Sequence, residues 1–508
     1  MDIFKKGVRY FFYLILVLII SFTIGVIWPV PKVEPVYTVN PIVITDVSII
    51  DVENGTIIPH RSVLISDQRI IAVDALDTLT IPEDALRING TNRFLIPSLW
   101  DMHAHIYKVT PLLDMPLYIA YGVTNVREMT SCAKANDPFV ACPEDLKSWT
   151  HAATTNKFVG PRVQGITSWL LNGPGIHHSI KGLPEFFGTA NAEQAREFVR
   201  YHAGKVDAIK VYDHISRDAY FAVVDEAKKL NIDVIGHRPH AVSAVEAATH
   251  QKSIEHARFI LHESFPGSDA LREAAQHGKW KEDRRRMLDE YNPVQAGLIF
   301  SAMKSSGTWY VPTHLTRRVD AYGDDPLVLE DPLLRYLHPL MKWQWLEDIN
   351  KTIDEDPSPE ARQTYRYFYQ KGLALTSEAH KAGVKILVGT DYIVAGATVH
   401  DELQQLVLAG LSPAAALRAA TLSPAEYFGL EQDYGRIQPG SIADLILLNK
   451  NPLVEISNTL SIENIIFNGN LYDRDNLNAI ENAVESRASS WSVGCKILWE
   501  FIKNPAAY

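Results

Sequence analysis

Eight short apolar segments, each followed by a stretch of helical character, run through the middle of this 508-residue chain. They are Phe94 to Leu99, Thr124 to Met129, Arg162 to Ser168, Ala208 to Tyr212, Asp233 to Gly236, Ser253 to Glu255, Trp309 to Pro312 and Lys385 to Val388. Strands that alternate with helices are typical of parallel sheets, because parallel strands need a crossover of about a dozen residues or more. Eight such units predict an α/β fold of the (β/α)8 TIM-type barrel class.

Short β-branched segments flank this central region on both sides. They begin at Ile42 before it and return at Ala443 to Asn449 and Ile462 to Phe467 after it. Neither set is large enough to enclose a core alone. We therefore predict a small β-sandwich built from residues 42–93 and 431–475, a barrel over residues 94–430, and a helical C-terminal extension over residues 476–508.

The N-terminus carries an uncharged apolar run from Tyr10 to Trp28, preceded by Lys5, Lys6 and Arg9. At about 1.5 Å per residue the run can cross a hydrocarbon core of about 30 Å, and its basic flank predicts a cytoplasmic N-terminus. A cleaved signal peptide is the competing interpretation, but the run exceeds a usual h-region and no A-x-A-like site follows. We expect a single-pass transmembrane signal anchor over residues 1–30, a tether over 31–41, and a catalytic domain outside the cytoplasm at the cell membrane.

The net charge and the long helical insertions indicate which binding partners to expect. A net charge of −11 argues against a general nucleic-acid binder, whose surface would be basic. The segments 261–306 and 320–375 are longer than barrel connections require, so they are candidates for lids or for a homo-oligomer interface. We expect a small-molecule partner and a membrane, and no nucleic acid.

Cysteine spacing adds one further expectation. Cys132 and Cys142 lie ten residues apart in a polar segment. In an oxidising compartment this spacing permits a disulfide that closes the loop. Two unpaired thiols are the alternative, because spacing alone does not fix the distance between the two Cα atoms.

A His-x-His pair directly follows the first apolar segment, in the sequence Asp101-Met102-His103-Ala104-His105. In an extended segment residues i and i+2 project to the same side, so both imidazoles can bind one ion. The pair stands at the carboxyl end of a strand, which is where the active sites of such barrels form. The motif therefore predicts a metal site.

Further candidate ligands stand at or near later strand ends. They are Lys210 in AIKVY, His237 in VIGHRPH, His256 in SIEHAR and Asp391 in LVGTDY. A buried ammonium group loses its hydration, which favours a chemical over a structural role for Lys210. Imidazole and carboxylate ligands suit zinc and similar ions. We expect six such groups to hold two divalent ions, zinc first among them, around a bridging water.

At these motifs the chain resembles the amidohydrolase superfamily, in particular its imidazolonepropionase-like and Xaa-Pro dipeptidase-like branch. The resemblance covers residues 42–472. FLIPSLWDMHAH, YGVTNVREM and LVGTDY resemble the family's first, second and eighth strands. The helix that begins with HDEL, the run AGLSPAAALRAATLSPAEYFGL and the segment YGRIQPGSIADLILL resemble its C-terminal signature.

The resemblance implies a role for each candidate ligand. His103 and His105 would hold the more buried ion with Asp391, His237 and His256 would hold the second, and Lys210 would bridge both as a carboxylated lysine. It further implies amide hydrolysis by a metal-bridging hydroxide, with Asp391 as the catalytic proton shuttle. The enzyme would then act on carbon–nitrogen bonds.

Side chains close to the strand ends suggest the substrate. These candidates are Tyr212, Arg238, His240 and His314, together with Arg258 and Arg317. Arginines, histidines and a tyrosine suit a free carboxylate, which points to a dipeptide or an N-acyl amino acid. Cyclic amides, lactones and phosphotriesters stay open as alternatives, because the same metal machinery serves them.

The chain departs from the family pattern in two places, where Pro97-Ser98 replaces the usual Pro-Gly and Trp100 replaces a smaller aliphatic residue. Neither change touches a ligand. A mononuclear, imidazolonepropionase-like site without the bridging lysine is an alternative. A deaminase would need an acid where His240 stands, and a non-catalytic binding scaffold would be expected to lack ligands that are all present here.

Overall fold

A computed structural model describes residues 2–30, 32–38, 41–134, 137, 139–173 and 183–503 of the chain. Its strands are β1 Ile42–Asp51, β2 Thr56–Ser66, β3 Arg69–Asp74, β4 Leu86–Asn89, β5 Phe94–Pro97, β6 Leu99–Ala104, β7 Val123–Glu128, β8 Arg162–Ile166, β9 Ala208–Val211, β10 Asp233–Gly236, β11 Ser253–Glu255, β12 Trp309–Val311, β13 Lys385–Ile386, β14 Leu445–Leu448, β15 Ile462–Phe467 and β16 Asn470–Tyr472.

Helices connect and cover these strands. The α-helices are α1 Asp2–Ile27, α2 Met115–Ala120, α3 Pro143–Thr154, α4 Ala192–His202, α5 Arg217–Leu230, α6 Ala244–His250, α7 Arg258–Glu263, α8 Ser268–Gln276, α9 Arg284–Asp289, α10 Pro293–Ser306, α11 His314–Tyr322, α12 Pro326–Leu329, α13 Pro339–Asp354, α14 Pro359–Ala382, α15 Thr398–Leu408, α16 Pro413–Ala420, α17 Leu422–Phe428, α18 Arg474–Ala488 and α19 Trp491–Lys503. Short 3-10 segments cover Glu185–Gly188, Pro332–Tyr336 and Ile456–Leu460.

The central strands form two parallel sheets, one in the order β6-β7-β8 and one in the order β9-β10-β11-β12-β13. Backbone hydrogen bonds connect them on both sides: Leu171 donates to the carbonyl of Lys210 over 2.9 Å, and Met102 donates to that of Val388 over 2.9 Å. The alternation of strands and helices is confirmed as a mixed α/β fold. The closed eight-stranded barrel stays a prediction, because these hydrogen bonds do not extend the strand pairing from one sheet into the other, and the eight strands form a three-stranded and a five-stranded sheet.

The first apolar segment belongs to two different sheets, which corrects the prediction of one barrel strand from Phe94 to Leu99. Strand β5 pairs antiparallel with β14 and parallel with β1, whereas β6 pairs with β7. The chain changes sheets at Ser98, whose N–H donates to Asp444 while the next N–H, from Leu99, donates to Gly122. A continuous apolar run conceals this change because both strands are buried.

The strands before and after the central region pair with each other, since β5 lies between β1 and β14. They form one mixed sheet in the order β16-β15-β14-β5-β1-β2-β3, with β4 also paired to β1. Hydrogen bonds thus join these strands in one continuous sheet, where the sequence suggested two packed sheets. Alternate residues of β1, including Ile42 and Ile44, point into a core that this sheet largely builds for itself.

The apolar N-terminal segment is the long helix α1, with the length and composition of a membrane span over Lys6–Ile27. Its last turns pack against α19. Gly25 permits this approach, since a Cβ there would lie 2.5 Å from Cys495 Sγ. The rings of Phe22 and Trp499 lie 6.4 Å apart across the same contact. The two ends of the chain therefore meet at α1 and α19.

The C-terminal extension is helical over its described part, as α18 and α19. Helix α18 packs on α2 and on the 3-10 segment Pro332–Tyr336. Within that contact the Tyr336 hydroxyl donates to Glu481 Oε2 over 3.1 Å. The extension is therefore part of the folded body and reaches the segments that follow β6 and β12.

Cys132 and Cys142 form a disulfide in the loop after β7, with their Cα atoms 4.7 Å apart. This outcome selects the paired alternative over two free thiols. Cys495, the remaining cysteine, is a buried thiol in α19.

Candidate active site

The six predicted ligands lie at the carboxyl ends of the parallel strands. His103 is in β6 and Lys210 in β9, while His237, His256 and Asp391 follow β10, β11 and β13. Backbone pairing continues past the strands and fixes their positions. The N–H of Asp391 donates to the His103 carbonyl over 2.8 Å, and that of His256 donates to Val311 over 2.8 Å. Residues far apart in sequence thereby converge on one end of the two sheets.

Asp391 is the centre of the cluster. Its Oδ1 lies 3.1 Å from His105 Nε2 and 3.7 Å from His103 Nε2, and its Oδ2 lies 3.7 Å from His256 Nδ1. One ligand atom each from His103, His256 and Asp391 can be chosen such that all three lie within 4.8 Å of one another. A His/His/Asp group that could hold a metal ion is therefore present.

His237 and His256 face each other, with their Nε2 atoms 2.9 Å apart. His237 Nδ1 lies 2.9 Å from Asp213 Oδ1 and donates to it, because a carboxylate only accepts. The Nε2 of neutral His237 is then an acceptor, so the hydrogen in this pair belongs to His256 Nε2. The Nδ1 of His256 consequently accepts from the Thr313 hydroxyl over 2.7 Å.

A buried carboxylate orients His103. Glu255 Oε2 accepts from His103 Nδ1 over 3.0 Å, and Arg127 Nη2 donates to both oxygens of Glu255 at 2.8 and 2.9 Å. This leaves the lone pair on His103 Nε2, a buried atom without a hydrogen-bond partner. Such a carboxylate–histidine pair is the arrangement by which proteins orient an imidazole toward a metal.

Asp213 orients His237 as Glu255 orients His103, by accepting a hydrogen bond from its Nδ1. Its second oxygen, Oδ2, accepts from Arg258 Nη2 over 2.8 Å. Burial alone would raise the pKa of the Asp213 carboxyl, but the charge of Arg258 and the hydrogen bond from His237 outweigh it and hold that pKa well below its usual range. Asp213 is therefore an anion, and it fixes the His237 proton on Nδ1.

Asp101 joins the loop of His103 to that of Asp391. Its Oδ1 accepts from the backbone N–H groups of His103 and Thr390, each over 3.0 Å, and its Oδ2 accepts from the Thr390 hydroxyl over 2.7 Å. Gly389 is required here, because a Cβ would lie 2.8 Å from His103 Cβ and 2.6 Å from Val311 Cγ1. The carboxylate and the glycine together bring the two loops into close contact.

His256 and Asp391 have left-handed backbone conformations, with φ of 69° and 45°. Such conformations in residues other than glycine cost of order 1–3 kcal/mol each and cluster at functional sites. Thr313, which binds His256, shares the feature with φ of 46°. The fold therefore accepts backbone strain at this cluster in order to aim these side chains.

Burial favours the neutral form of three histidines of the cluster. It lowers the pKa of His105 to about 4, and it also lowers the pKa of His237 and of His256. Burial pushes the pKa of Asp391 upward, but the neighbouring His103, His105 and His256 outweigh this effect and hold it well below its usual range. Neutral imidazoles beside an ionised carboxylate are the protonation states that a divalent cation requires.

Lys210 is almost completely buried, and its Nζ donates to Thr130 Oγ1 over 3.2 Å. Burial lowers the pKa of the Lys210 ammonium, although Asp391, Glu255 and Glu128 act in the opposite direction. Burial also raises the pKa of Glu128 to about 8, against hydrogen bonds from the backbone N–H groups of Thr130 and Ile106. Lys210 is therefore buried near Asp391 and Glu255, and its role as a ligand stays a prediction.

The donor set fits a divalent metal. His103 Nε2 is buried and unpartnered, and it points at a carboxylate and a second imidazole. Nitrogen and oxygen donors of this kind suit zinc and similar ions. His202 gives a useful contrast, because its Nε2 is also unpartnered but it lies outside this cluster, in α4.

Among the predicted substrate contacts, Tyr212 and Arg258 lie beside the cluster. The Tyr212 ring lies against the His237 ring, with centroids 3.9 Å apart and ring planes 34° to each other. Arg258 holds Asp213, as described above. Both side chains thus touch the His237 environment directly.

Arg238, His240 and His314 have other surroundings. Arg238 is buried and donates to Glu263 Oε1 over 3.1 Å, while His240 stacks on Trp280 with centroids 3.7 Å apart. His314 is fully buried at the start of α11. None of the three is among the described residues that line the cavity beside Asp391. Their role in substrate binding stays a prediction that this geometry does not favour.

A cavity of about 320 Å³ opens beside His105 and Asp391. Arg317 is the one arginine among its described lining residues. Its Nη1 contacts Asp320 Oδ2 at 2.5 Å, and its side chain is 20% exposed. A substrate that reaches Asp391 through this cavity passes Arg317.

Glu255 and Asp213 are functional residues that reasoning from the sequence missed. Glu255 directly precedes His256, and Asp213 stands three residues after Lys210. In both cases the histidine served is in a different strand–loop unit, so only tertiary structure pairs them. The available signal was an acidic residue within or directly after a strand otherwise composed of apolar and ligand residues.

The sequence model of the amidohydrolase family matches residues 94–472. No curated protein matches the chain. Among solved structures, a bottromycin amidohydrolase is 21% identical with a TM-score of 0.65, covering 88% of this chain and 90% of its own.

Two further solved structures share the fold. A Xaa-Pro dipeptidase with bound methionine in its active site is 19% identical, with a TM-score of 0.59, and covers 85% of this chain and 100% of its own. A prolidase in complex with N-methylphosphonate-L-proline is 20% identical, with a TM-score of 0.56, and covers 86% and 100%. At these identities the likeness concerns the fold.

Proposed function

The chain belongs to the amidohydrolase family and is a hydrolase of carbon–nitrogen bonds, and from this premise we propose that it cleaves the amide bond of a dipeptide or an N-acyl amino acid at the Asp391 cluster. We propose further that its two parallel sheets act as one (β/α)8-type frame, since active sites of that frame form at the carboxyl ends of the strands.

The observation that carries this proposal is the unpartnered Nε2 of His103. A buried imidazole nitrogen without a partner is costly unless a ligand satisfies it. Here it points at Asp391 and lies near His256. Glu255 fixes its protonation state in the form that donates a lone pair. A divalent ion beside Asp391 would give this nitrogen a partner, and a second ion could bind at the adjacent His256.

We assign the predicted ligands as follows. His103, His105 and Asp391 would hold one divalent ion, and His237 and His256 would hold a second, with zinc as the expected metal. Lys210, as a carboxylated lysine, would bridge them. When bound, such ions supply Lewis acidity toward the scissile carbonyl and toward water.

The chain's own residues would perform the proton transfers. The ionised Asp391 carboxylate is 23% exposed and faces the cavity, so it can accept a proton from the attacking water. It can return that proton to the amine nitrogen as the carbon–nitrogen bond breaks. Glu255 and Asp213 would hold His103 and His237 in fixed orientations throughout the reaction.

Arg317 is our candidate for the substrate carboxylate, in place of the predicted Arg238. Arg238 is buried against Glu263 and backbone carbonyls and is not among the described lining residues, whereas Arg317, although paired with Asp320, lines the cavity that contains Asp391. A guanidinium can meet a carboxylate with two parallel hydrogen bonds. The ligands named for the similar dipeptidase and prolidase structures, methionine and a proline derivative, support a small amino-acid-like substrate.

We also propose that α1 anchors the protein in a membrane, with the catalytic domain outside the cytoplasm. The helix has the length and hydropathy of one span, and only 6% of its most apolar window is buried. Lys6 and Arg9 precede its apolar part, which supports a cytoplasmic N-terminus. The Cys132–Cys142 disulfide supports an oxidising compartment.

The test combines metal content with turnover. The full-length protein, loaded with zinc, should contain about two equivalents by elemental analysis and should hydrolyse N-acetyl amino acids. His103→Ala and Asp391→Asn should lower kcat/KM by about a thousandfold or more, because each removes a ligand and a charge from the reacting centre. Lys210→Ala should lose activity and recover part of it with added short-chain carboxylic acids.

His202→Ala is the matched control. It removes another buried histidine with an unpartnered Nε2, but one outside the cluster, so metal content and kcat/KM should stay near those of the unaltered protein. One metal equivalent, with no recovery of Lys210→Ala, would refute the two-ion site. Full activity of His103→Ala would refute the proposed centre altogether.

A further inference from the structure

The cavity beside Asp391 has a mixed lining. His105, Asp391 and Arg317 belong to its polar part, together with acids that include Asp320 and Asp348. A set of its apolar side chains, called the apolar wall below, consists of Val109, Leu113, Met341, Trp345, Ile349 and Ile353. A dipeptide of small residues would leave most of this wall in contact with water.

We propose that this apolar wall binds the acyl chain of an amphiphilic N-acyl amino acid, so that the substrates are amides with an extended apolar tail. The inference rests on the proposed function, which supplies the amide bond and the carboxylate. It adds the chemical class of the acyl group and the residues that select it.

Helix α13 supplies one side of the wall through a single helical face. Met341, Trp345, Ile349 and Ile353 follow each other at intervals of four residues, so they lie along one side of the helix. The Trp345 ring lies 6.2 Å from that of Tyr392, the residue after Asp391. The apolar face of α13 therefore begins beside the catalytic carboxylate and continues away from it.

Helix α19 supports another part of the wall. Val109 and Leu113, which line the cavity, pack against the fully buried Val493 and Ile497 of α19. Gly494 of the same helix faces His338, since a Cβ there would lie 3.0 Å from His338 Nε2. The C-terminal extension thus has a function that its sequence did not reveal, because it backs the wall of the cavity.

The same wall adjoins the proposed membrane helix. Val109 also lines a groove with Val26 at the end of α1 and with Trp499 and Lys503 of α19. Trp491, Trp499 and the apolar residues near them on α19 are exposed, and aromatic and basic residues are enriched where a protein meets a lipid surface. An amphiphile dissolved in the bilayer would therefore lie within a short distance of the cavity wall.

The size of the cavity is compatible with a chain of moderate length. Its volume of about 320 Å³ is at the lower end of the range of roughly 300–1,000 Å³ for small-molecule sites. A fully buried methylene changes affinity by about fourfold. The effect of acyl length on kcat/KM is therefore a direct measure of whether the wall is used.

The experiment compares N-acetyl-, N-butanoyl-, N-hexanoyl- and N-octanoylglycine as substrates of the full-length protein in lipid nanodiscs. We expect kcat/KM to rise by roughly tenfold or more from the acetyl to the hexanoyl compound, given about fourfold per fully buried methylene. Met341→Trp, which fills part of the cavity, should reduce the ratio of octanoyl to acetyl turnover.

Asn350→Trp is the matched control variant, because it adds the same side chain to an exposed position of α13 that does not line the cavity. It should keep the chain-length dependence of the unaltered protein. A flat series, with N-acetylglycine turned over as well as the longer compounds, would overturn the inference and leave the proposed function standing.

A binding measurement distinguishes failure of the proposed amide hydrolysis from failure of the proposed acyl-chain site. Calorimetry on the Asp391→Asn variant should show N-octanoylglycine bound at least tenfold more tightly than N-acetylglycine, by the same methylene arithmetic. If no amide is hydrolysed but this preference appears and Met341→Trp removes it, the proposed reaction is wrong and the chain site is right. Equal binding of both compounds would refute the chain site.

Discussion

Replacing Glu255 by Gln tests whether the carboxylates behind the histidines hold the site together. Glu255 is fully buried and accepts from Arg127, from the Ser253 hydroxyl over 2.6 Å and from His103. Glutamine keeps the shape of the side chain but removes its charge. The Arg127 guanidinium, which is also buried, is then left without an anionic partner.

The loss of stability expected for Glu255→Gln can be estimated in two ways. Burial raises the pKa of Glu255, but Arg127 and then His103 outweigh it and lower the pKa from 4.5 to about 2. A tenfold change in acid dissociation corresponds to about 1.4 kcal/mol, so the folded state favours the anion by about 3 kcal/mol. Removing one partner of a buried ion pair typically costs about 3–5 kcal/mol, and the value from the pKa of Glu255 agrees with this range.

The sign of the pH dependence follows from the same shift. The pKa of Glu255 is lower in the folded than in the unfolded chain, so its contribution to stability is present above pH 4.5 and is lost as the pH falls toward 2. Glu255→Gln should therefore be destabilised at neutral pH, and the difference from the unaltered protein should shrink in acid.

Urea unfolding followed by circular dichroism measures the stability, and competition with a chelator measures zinc affinity. We expect a loss of about 3 kcal/mol and a drop in metal affinity of about ten- to a hundredfold. Glu463→Gln is the control, because Glu463 pairs with Arg93 near the surface, with both side chains about 30% exposed; such pairs contribute about 0–1 kcal/mol. Equal effects of the two variants would refute the reasoning.

Two further predictions concern the disulfide and the proposed membrane anchor. Replacing Cys132 and Cys142 by Ala should lower the free energy of unfolding by up to about 3 kcal/mol, as estimated for a closed loop of this size. A reductant should destabilise the unaltered protein but not this double variant. An equal response of the two proteins to the reductant would contradict the disulfide. The full-length protein should stay with the membrane pellet after alkaline carbonate washing, whereas a chain lacking residues 1–28 should be released. Release of the full-length protein, or its recovery from cells without those residues, would contradict the anchor.

The strands that carry the site could be predicted because buried parallel strands leave a plain sequence signal. Asp233–Gly236 and Ser253–Glu255 begin and end where the apolar runs do. The prediction of one barrel strand from Phe94 to Leu99 was wrong for a physical reason. Phe94–Pro97 and Leu99–Ala104 are both buried strands, and only pairing partners distant in sequence show that they belong to different sheets.

The sequence could place the candidate ligands at strand ends, but it could not show which way the neighbouring side chains point. Arg238 follows His237 directly, yet its side chain turns away and binds Glu263 inside the fold. Proximity in sequence gives a residue a position at the sheet edge, but the direction of its side chain depends on packing. Arg317 lines the cavity because α11 carries it there.

The cavity wall lay beyond sequence reasoning because its parts come from segments with no shared pattern. Helix α13 was predicted only as part of a long helical insertion, and α19 only as an appendage. Met341 and Trp345 have the spacing of any amphipathic helix, and Val493 that of any packed one. Their function follows from where the chain places them, since Trp345 contacts the residue after Asp391 and Val493 backs the loop after His105. On the proposed function, the residues of the chemistry are encoded locally at strand ends, while the residues that select the substrate come from insertions that tertiary structure brings to those ends.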